Sequence, residues 1–244
     1  MKRLPLHLVF GLLVSAYVAP PAAEAQVTLY PSRAAWDADF PGAAIETFEE
    51  ADLSANDPES FAPPLDSTTD NTPFDAGDIV AGVSFTTRSS GGTVPGGNLT
   101  AGLGTFPSIV LGAQGNDCDS LELTLSPAVD GVALDLFVED SGGGPGSAQV
   151  ELYDGADTLI DSGPITGGAT SQTPVFLGVH STTPIARVNI NSPPGGCGSI
   201  EWFDNVAFGA GGPPGVPAMS RAVLFVLAGL LALFAATRLR RAAA

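Results

Sequence analysis

The sequence predicts an all-β fold, an antiparallel β-sandwich with one short N-terminal helix. Three observations support this class. Apolar and polar residues alternate with a period of two in several segments, Gly, Pro, Asp and Asn separate these segments, and the segments return about every ten residues. Short, half-buried strands at such intervals are typical of antiparallel sandwiches.

The alternating segments lie in the second half of the chain. They span residues 121–125, 132–138, 150–153, 188–190 and 200–208. In the last of these segments, strict alternation predicts that Trp202, Asp204 and Val206 share one face of a strand. A carboxylate on an apolar face needs a partner or a metal ion, so Asp204 is a candidate functional residue.

Three other segments have different local patterns. Residues 32–40 predict a short helix with Ser32 as its N-cap. Residues 50–77 are acidic, rich in Pro, Ser and Thr, and without periodicity, which predicts a long surface loop or a partly disordered segment. Residues 153–157 predict a hairpin turn, because the Asp-Gly pair at its start accepts the positive φ that such turns need.

The N-terminus has the organisation of a secretory signal peptide over residues 1–25. Two basic residues precede an apolar stretch at 6–18, and a small-x-small box follows at 23–25. Cleavage is therefore predicted between Ala25 and Gln26. This prediction places the rest of the chain outside the cytoplasm.

The remaining chain divides by composition into a sandwich domain at 26–208, a Gly/Pro linker at 209–215 and a tail at 216–244. The tail contains a predicted hydrophobic helix, the 15-residue apolar run at 222–236, and then a cluster of arginines. Such a helix spans about 22 Å, whereas a bilayer core is about 30 Å thick. Two interpretations remain open: a signal that an enzyme removes after transient membrane insertion, or a plain single-pass anchor with cytoplasmic arginines.

The charge balance of the predicted domain is strongly negative. Of the 26 acidic residues, Glu24 alone falls in the signal peptide, and the other 25 face only three basic domain residues, Arg33, Arg88 and Arg187. This surface would repel phosphate groups, which excludes nucleic acid as a partner and disfavours anionic lipid. An acidic surface instead suits solubility outside the cell and divalent cations.

The chain contains two cysteines, Cys118 and Cys197. In an exported protein they are predicted to form a disulfide bond, with two free thiols as the alternative. The bond would close a loop of about 80 residues and stabilise the fold by roughly 4 kcal/mol at most.

The tail motif resembles the exosortase-type sorting signals of bacterial surface proteins. Val216, Pro217 and Ser220 match the Ile/Val-Pro-x-x-Ser start found in relatives of the PEP-CTERM group, whereas Ala218 and Met219 replace the acid and the second proline of the Pro-Glu-Pro form. The resemblance implies that a membrane-embedded processing protease is a partner, and that the protein is located at the cell surface or in the extracellular matrix.

The predicted domain is also similar to domains that precede such tails. The matching segments are residues 32–36, 45–49, 179–185 and 200–206. The resemblance implies a jelly-roll-like sandwich on an exported Gram-negative protein, linked in general terms to exopolysaccharide and the biofilm matrix. It implies no catalytic residues.

A calcium site is implied by the same resemblance. In several jelly-roll sandwiches the first core strand and the last strand share a calcium ion through a Phe-Glu pair and an Asp-Asn pair. The matching acids here are Glu49 and Asp204, whose oxygens are of the type that Ca²⁺ prefers. In the alternative interpretation, Asp204 lies at a sheet edge and hydrogen-bonds to a loop. Asp117 and Asp119 are a second, weaker candidate pair.

Catalysis is not predicted. His180 is the only histidine of the predicted mature chain, and no nucleophile-elbow motif accompanies it. A glycosidase needs only two carboxylates at a suitable distance, so a polysaccharide-active hydrolase stays open. The two tryptophans, Trp36 and Trp202, are either sugar-stacking platforms or core residues. The sequence thus predicts an exported, surface-sorted, non-enzymatic matrix or glycan-interacting protein, with the hydrolase and a purely structural surface protein as alternatives.

Overall fold

The computed structural model describes residues 26–53, 58–88, 99–102, 108–113, 120–140, 144–170, 173–191 and 199–211. Within these ranges the chain forms an antiparallel β-sandwich with one short helix, which confirms the predicted fold class. The predicted signal peptide, the tail motif Val216, Pro217 and Ser220, and both cysteines lie outside the described residues. No helix in the described ranges is long and apolar enough to cross a membrane.

The described residues form twelve strands and the helix α1, which spans Arg33–Asp39. The strands are β1 (Val27–Leu29), β2 (Ala44–Glu46), β3 (Glu59–Phe61), β4 (Leu65–Asp66), β5 (Val83–Arg88), β6 (Leu99–Gly102), β7 (Val110–Ala113), β8 (Ser120–Asp140), β9 (Ser147–Tyr153), β10 (Leu159–Thr166), β11 (Val175–Asn191) and β12 (Ser199–Gly209). The predicted boundaries of the signal, domain and tail stay predictions.

Two long strands, β8 and β11, contribute to both layers of the sandwich. Their segments 120–125 and 187–191 pair with each other and lie between β5 and the β9–β10 hairpin in the first layer. Their segments 131–140 and 175–181 pair between β12 and β1 in the second layer. Strands β2 and β7 then extend the second layer on the far side of β12.

Aromatic side chains fill the space between the layers. The ring centroid of Phe85 on β5 lies 5.4 Å from that of Phe203 on β12, and Phe48 lies 5.2 Å from Phe85. All three side chains are fully buried. Burial of each such side chain contributes roughly 2–3 kcal/mol, so these contacts hold the layers face to face.

Helix α1 covers part of the outer surface of the second layer. Its predicted N-cap is confirmed, since the Ser32 hydroxyl accepts the Ala35 N–H at 3.3 Å. Trp36 stacks on Phe40 at 4.4 Å, and both are buried. The Phe40 ring lies directly on Gly131 of β8, where an added Cβ would come within 2.2 Å of the ring. The glycine therefore allows the helix to approach the sheet closely.

A bulge in β12 changes the predicted alternation. Asn205 has a φ of 51°, and the register against β8 shifts between Asp204 and Ala207. Trp202 and Asp204 consequently point to the outer surface, whereas Val206 packs into the core between the layers. The prediction that all three residues share one face is therefore wrong for Val206.

Two further predictions need correction. In the hairpin turn, the positive φ of 64° falls on Asp157 rather than on the Asp-Gly pair, and the Asp154 carboxylate accepts the N–H groups of Ala156 and Thr158 instead. The segment 50–77 is more than a surface loop, because it contributes β3, β4 and buried apolar side chains. These are Phe61, Leu65 and Phe74.

Candidate functional site

The structure brings the two predicted calcium ligands, Glu49 and Asp204, to the same end of β2 and β12. These strands pair in antiparallel register, with Glu46 opposite Val206. The Glu46 carboxylate is buried and accepts the N–H of Phe48 at 2.7 Å. Phe48 adopts a φ of 59°, and Glu49 follows it. Glu46 thus fixes the turn that delivers Glu49, a role that the sequence analysis missed.

Asp204 is a buried carboxylate, 2% exposed, with acidic neighbours. One of its oxygens accepts the Ser108 hydroxyl at 2.5 Å, and the other accepts the Asn205 N–H at 2.6 Å. Burial raises the pKa of Asp204 to about 6, and the negative charges of Glu49 and Asp135 add to this increase. The hydrogen bonds offset the effect only in part. Among the described residues, no basic side chain forms an ion pair with Asp204.

Asp135, Asn205 and Arg33 form a partly exposed polar group beside Asp204. The Asn205 side-chain amide donates to Asp135 at 3.0 Å and to Asp204 at 3.1 Å. Arg33, on α1, donates to the Asn205 backbone carbonyl at 2.7 Å and pairs with Asp135 at 3.4 Å. These contacts fix the amide, the carboxylate and the guanidinium relative to one another, and none of the three was a predicted site residue.

Trp202 lies two residues before Asp204 on the same outer surface. Its indole rests on the backbone of β7, because a Cβ added at Gly112 would come within 2.3 Å of the ring. The neighbouring Gly102 also leaves room for the ring. Trp202 is half-buried, since glycine replaces a side chain beneath it and the ring lies low on the sheet. We call the surface formed by Trp202, Asp135, Asn205 and Arg33 the Trp202 face.

The other candidate residues are not at this site. Trp36 is fully buried and donates its indole N–H to the Val179 carbonyl at 3.2 Å, so it is a core residue. His180 is buried within β11 beside the ring of Phe40. The predicted pair Cys118 and Cys197, the acids Asp117 and Asp119, and Ala25 at the predicted cleavage site lie outside the described residues.

The oxygen atoms near Asp204 are of the type that calcium prefers. Within the described ranges, however, no group of three or more His, Cys, Asp or Glu side chains has the arrangement of a metal site. Glu49 already accepts the Ile109 N–H at 3.0 Å. Two carboxylates would need backbone, hydroxyl or amide oxygens to complete a calcium coordination sphere, and Ser108 and Asn205 offer such oxygens.

An apolar cleft of about 250 Å³ lies elsewhere, between β1, β11 and the β9–β10 hairpin. Its walls include Leu29, Val150, Leu152, Val175 and Leu177. These are mainly side chains from the edge of the sandwich core, and they offer few hydrogen-bonding groups. The cleft therefore has a different chemical character from the Trp202 face.

No protein-family model and no curated protein matches the chain. Among solved structures, a carbohydrate-binding module of family 29 matches at 15% identity and a TM-score of 0.34, over 52% of this chain and 90% of the module. A family 29 mutant complexed with mannohexaose matches at 12% identity and a TM-score of 0.34, over 69% of this chain and 92% of the module. At these identities and TM-scores, the site has to be defined from this chain's own residues.

Proposed function

We propose that the protein is exported, sorted to the cell surface through its C-terminal motif, and binds a neutral polysaccharide of the extracellular matrix without catalysis. The Trp202 face is the proposed binding site. The observation that carries this proposal is the half-buried indole of Trp202 lying on the glycine backbone of β7, next to fixed polar side chains.

The chemistry of this face suits a sugar. A partly exposed aromatic ring can pack against the apolar C–H surface of a pyranose ring. Asp135, Asn205 and Arg33 offer carboxylate, amide and guanidinium groups to the sugar hydroxyls. Because Asp204 and the ion pair hold these groups in place, little side-chain entropy would be lost on binding.

The negative charge of the domain favours a neutral over an anionic polysaccharide. The 25 acids of the predicted mature chain oppose an anionic glycan, and Arg33, the basic residue of the Trp202 face, is already paired with Asp135. A neutral polysaccharide avoids this repulsion.

A polysaccharide hydrolase is the second candidate, and one observation favours it. A carboxyl group with a pKa of about 6 beside other carboxylates is what a glycosidase uses as its general acid. A general acid must reach the glycosidic oxygen, however, and Asp204 is 2% exposed with both oxygens accepting hydrogen bonds. Binding therefore agrees better with the geometry than hydrolysis does.

Calcium is a separate part of the proposal. Glu49 and Asp204 would each supply a carboxylate, and the cation would compensate the negative charge of the buried Asp204. Binding would also hold β2 against β12 beside the Trp202 face. In this proposal calcium supports the sugar site structurally and takes no part in a reaction.

Polysaccharide affinity electrophoresis of the full-length protein tests the binding function. We expect retardation in gels containing neutral polysaccharides and none in gels containing polyuronic acids. Absence of retardation by every neutral polysaccharide, with calcium and with chelator, would reject the proposal. Release of reducing ends that stops in the Asp204→Asn variant would instead establish the hydrolase.

Export and sorting need their own measurements on protein extracted from the cell surface. Intact mass should show loss of residues 1–25 and of the region after the Val216 motif. A mass that retains Arg240 and Arg241 would leave only the plain anchor. Thiol titration under denaturing conditions should find no reactive thiol if Cys118 and Cys197 are bonded, whereas two thiols per chain would refute the bond.

A further inference from the structure

The outer surface of the first layer carries a second organised set of polar side chains. We call it the Arg187 face, and it comprises Glu122, Glu151, Tyr153, Arg187, Asn189 and Asn191. Strand register places Arg187 opposite Tyr153, and Asn189 opposite both Glu151 and Glu122. The face crosses three neighbouring strands, β9, β11 and β8, and is therefore roughly 10 Å wide.

This face and the Trp202 face lie on opposite sides of the sandwich. The strand β8 shows this directly, because Leu123 and Leu136 both pack into the core between the layers. Glu122 points away from the core in the first layer, and Asp135 points away from it in the second. The two faces therefore cannot contact the same stretch of a single ligand.

Contacts within the Arg187 face hold its groups in fixed positions. The Arg187 guanidinium carbon lies 3.8 Å from the centroid of the Tyr153 ring. The same guanidinium donates to Asn189 at 2.9 Å and to Asp157 at 2.7 Å. Glu151 accepts both the Tyr153 hydroxyl and the Asn191 amide, each at 2.9 Å.

The Arg187 face, like the Trp202 face with its neighbours Glu49 and Asp204, contains more acidic than basic side chains. Arg187 and Arg88 both pair with Glu122, and Asp157 and Glu151 add two further negative charges. The excess of acid over base disfavours a polyanion. Glu122 and Asn189 are buried, whereas Glu151, Tyr153, Arg187 and Asn191 are partly exposed. The partly exposed side chains offer carboxylate, hydroxyl, guanidinium and amide groups, which match sugar hydroxyls better than the apolar anchors of a protein partner.

We infer that the Arg187 face is a second site for neutral polysaccharide, so that one domain bridges two polysaccharide chains. The inference rests on the proposed function, because it assigns the same ligand class to the opposite face. Two sites on one rigid sandwich act as a bivalent cross-linker, and attachment to a dense polysaccharide then gains roughly a hundredfold in apparent affinity from the second site.

Light scattering from a soluble neutral polysaccharide that the protein retards tests the inference. The full-length protein should cross-link the chains, and scattering should fall again at high protein excess, where each chain is saturated. The Trp202→Ala variant should still bind but no longer cross-link. On the opposite face, Asn191→Ala and Glu151→Gln should each still bind but no longer cross-link. Two conservative variants are used so that misfolding of one does not decide the result. Asp75→Asn, in an exposed loop, is the control.

The outcomes separate the two proposals. Cross-linking by the Asn191→Ala and Glu151→Gln variants at the wild-type level overturns the second site and leaves the Trp202 face intact. Loss of all binding in Trp202→Ala also overturns it, because a second site would retain the polysaccharide. A wild-type protein that binds no neutral polysaccharide rejects the proposed function itself.

Discussion

Two buried carboxylates, Glu122 in the first layer and Asp204 in the second, occupy opposite electrostatic environments. Arg88 and Arg187 both pair with Glu122, so the charge of this carboxylate is compensated inside the fold. Among the described residues Asp204 forms hydrogen bonds but no ion pair, and burial, together with the negative charges of Glu49 and Asp135, raises its pKa to about 6. The first carboxylate stabilises the fold through its partners. The second keeps an uncompensated charge, and this is the kind of strain found where a ligand or cation is expected.

The largest expected effect is the loss of stability when Glu122 is replaced. Glu122→Gln should lower the free energy of unfolding by roughly 3–5 kcal/mol, because two guanidinium groups lose their shared carboxylate in a mostly buried position. Denaturant titration measures this change. Asp157→Asn is the matched control, since Asp157 also pairs with Arg187 but is 78% exposed, and it should change stability by less than about 1 kcal/mol. Equal effects of the two substitutions would contradict the assigned role of Glu122.

The pH dependence of stability should distinguish Asp204. Its pKa in the folded protein, about 6, exceeds its ordinary value of 3.8, so the folded state binds more protons between these values. Its stabilising contribution is therefore complete below about pH 4 and is lost as the pH rises through 6, by up to roughly 3 kcal/mol. In chelator, Asp204→Asn should remove this part of the pH profile. Identical profiles for variant and wild type would contradict the shifted pKa.

Calcium should stabilise the folded state through Asp204, which accepts hydrogen bonds but forms no ion pair within the described residues. If Glu49 and Asp204 hold the cation, a hundredfold excess over Kd stabilises the folded state by roughly 2.7 kcal/mol, and Tm rises by several degrees. Asp204→Asn should abolish most of this increase in a thermal melt, whereas Asp157→Asn should retain it. A Tm that is indifferent to millimolar calcium and to chelator would remove calcium from the account.

The smallest expected effect concerns the support of Trp202. Gly112→Ala should move the indole, because the new Cβ would lie 2.3 Å from it, and polysaccharide affinity should fall by about tenfold, or roughly 1.4 kcal/mol. Gly102→Ala is the control, since its Cβ would stay 3.8 Å from the ring. Affinity electrophoresis compares the two variants. Equal retardation of the two variants would show that the position of the Trp202 ring does not affect polysaccharide binding.

The sequence predicted those features that depend on local pattern. Alternation identified the core positions of β8, the Ser32 side chain identified the start of α1, and the pairing of β2 with β12 agrees with the expected proximity of Glu49 and Asp204. Strand β5 was not predicted, because its third buried position is the polar Thr87 and apolar alternation therefore covers only Val83 and Phe85.

The features that were missed depend on tertiary structure. The bulge at Asn205 breaks alternation by one residue, and nothing in the period of the flanking residues announces it. Arg33 and Asp135 are 102 positions apart in the sequence, and only the packing of α1 on β8 brings them together. The buried positions of Phe61 and Phe74 were hidden by the acidic, Pro-rich composition around them, although aromatic residues in such a segment were themselves a signal of burial.

Intrinsic fluorescence tests the central claim most directly, because the chain has two tryptophans and the structure places them in different environments. Trp36, on α1, is fully buried, whereas Trp202 is half-buried on the proposed binding face. Titration of the full-length protein with a bound neutral polysaccharide should change the emission in a saturable way. The Trp36→Phe variant should keep that change, and Trp202→Phe should lose it. A saturable change that survives Trp202→Phe, or saturable binding with no change in emission, would contradict recognition through Trp202.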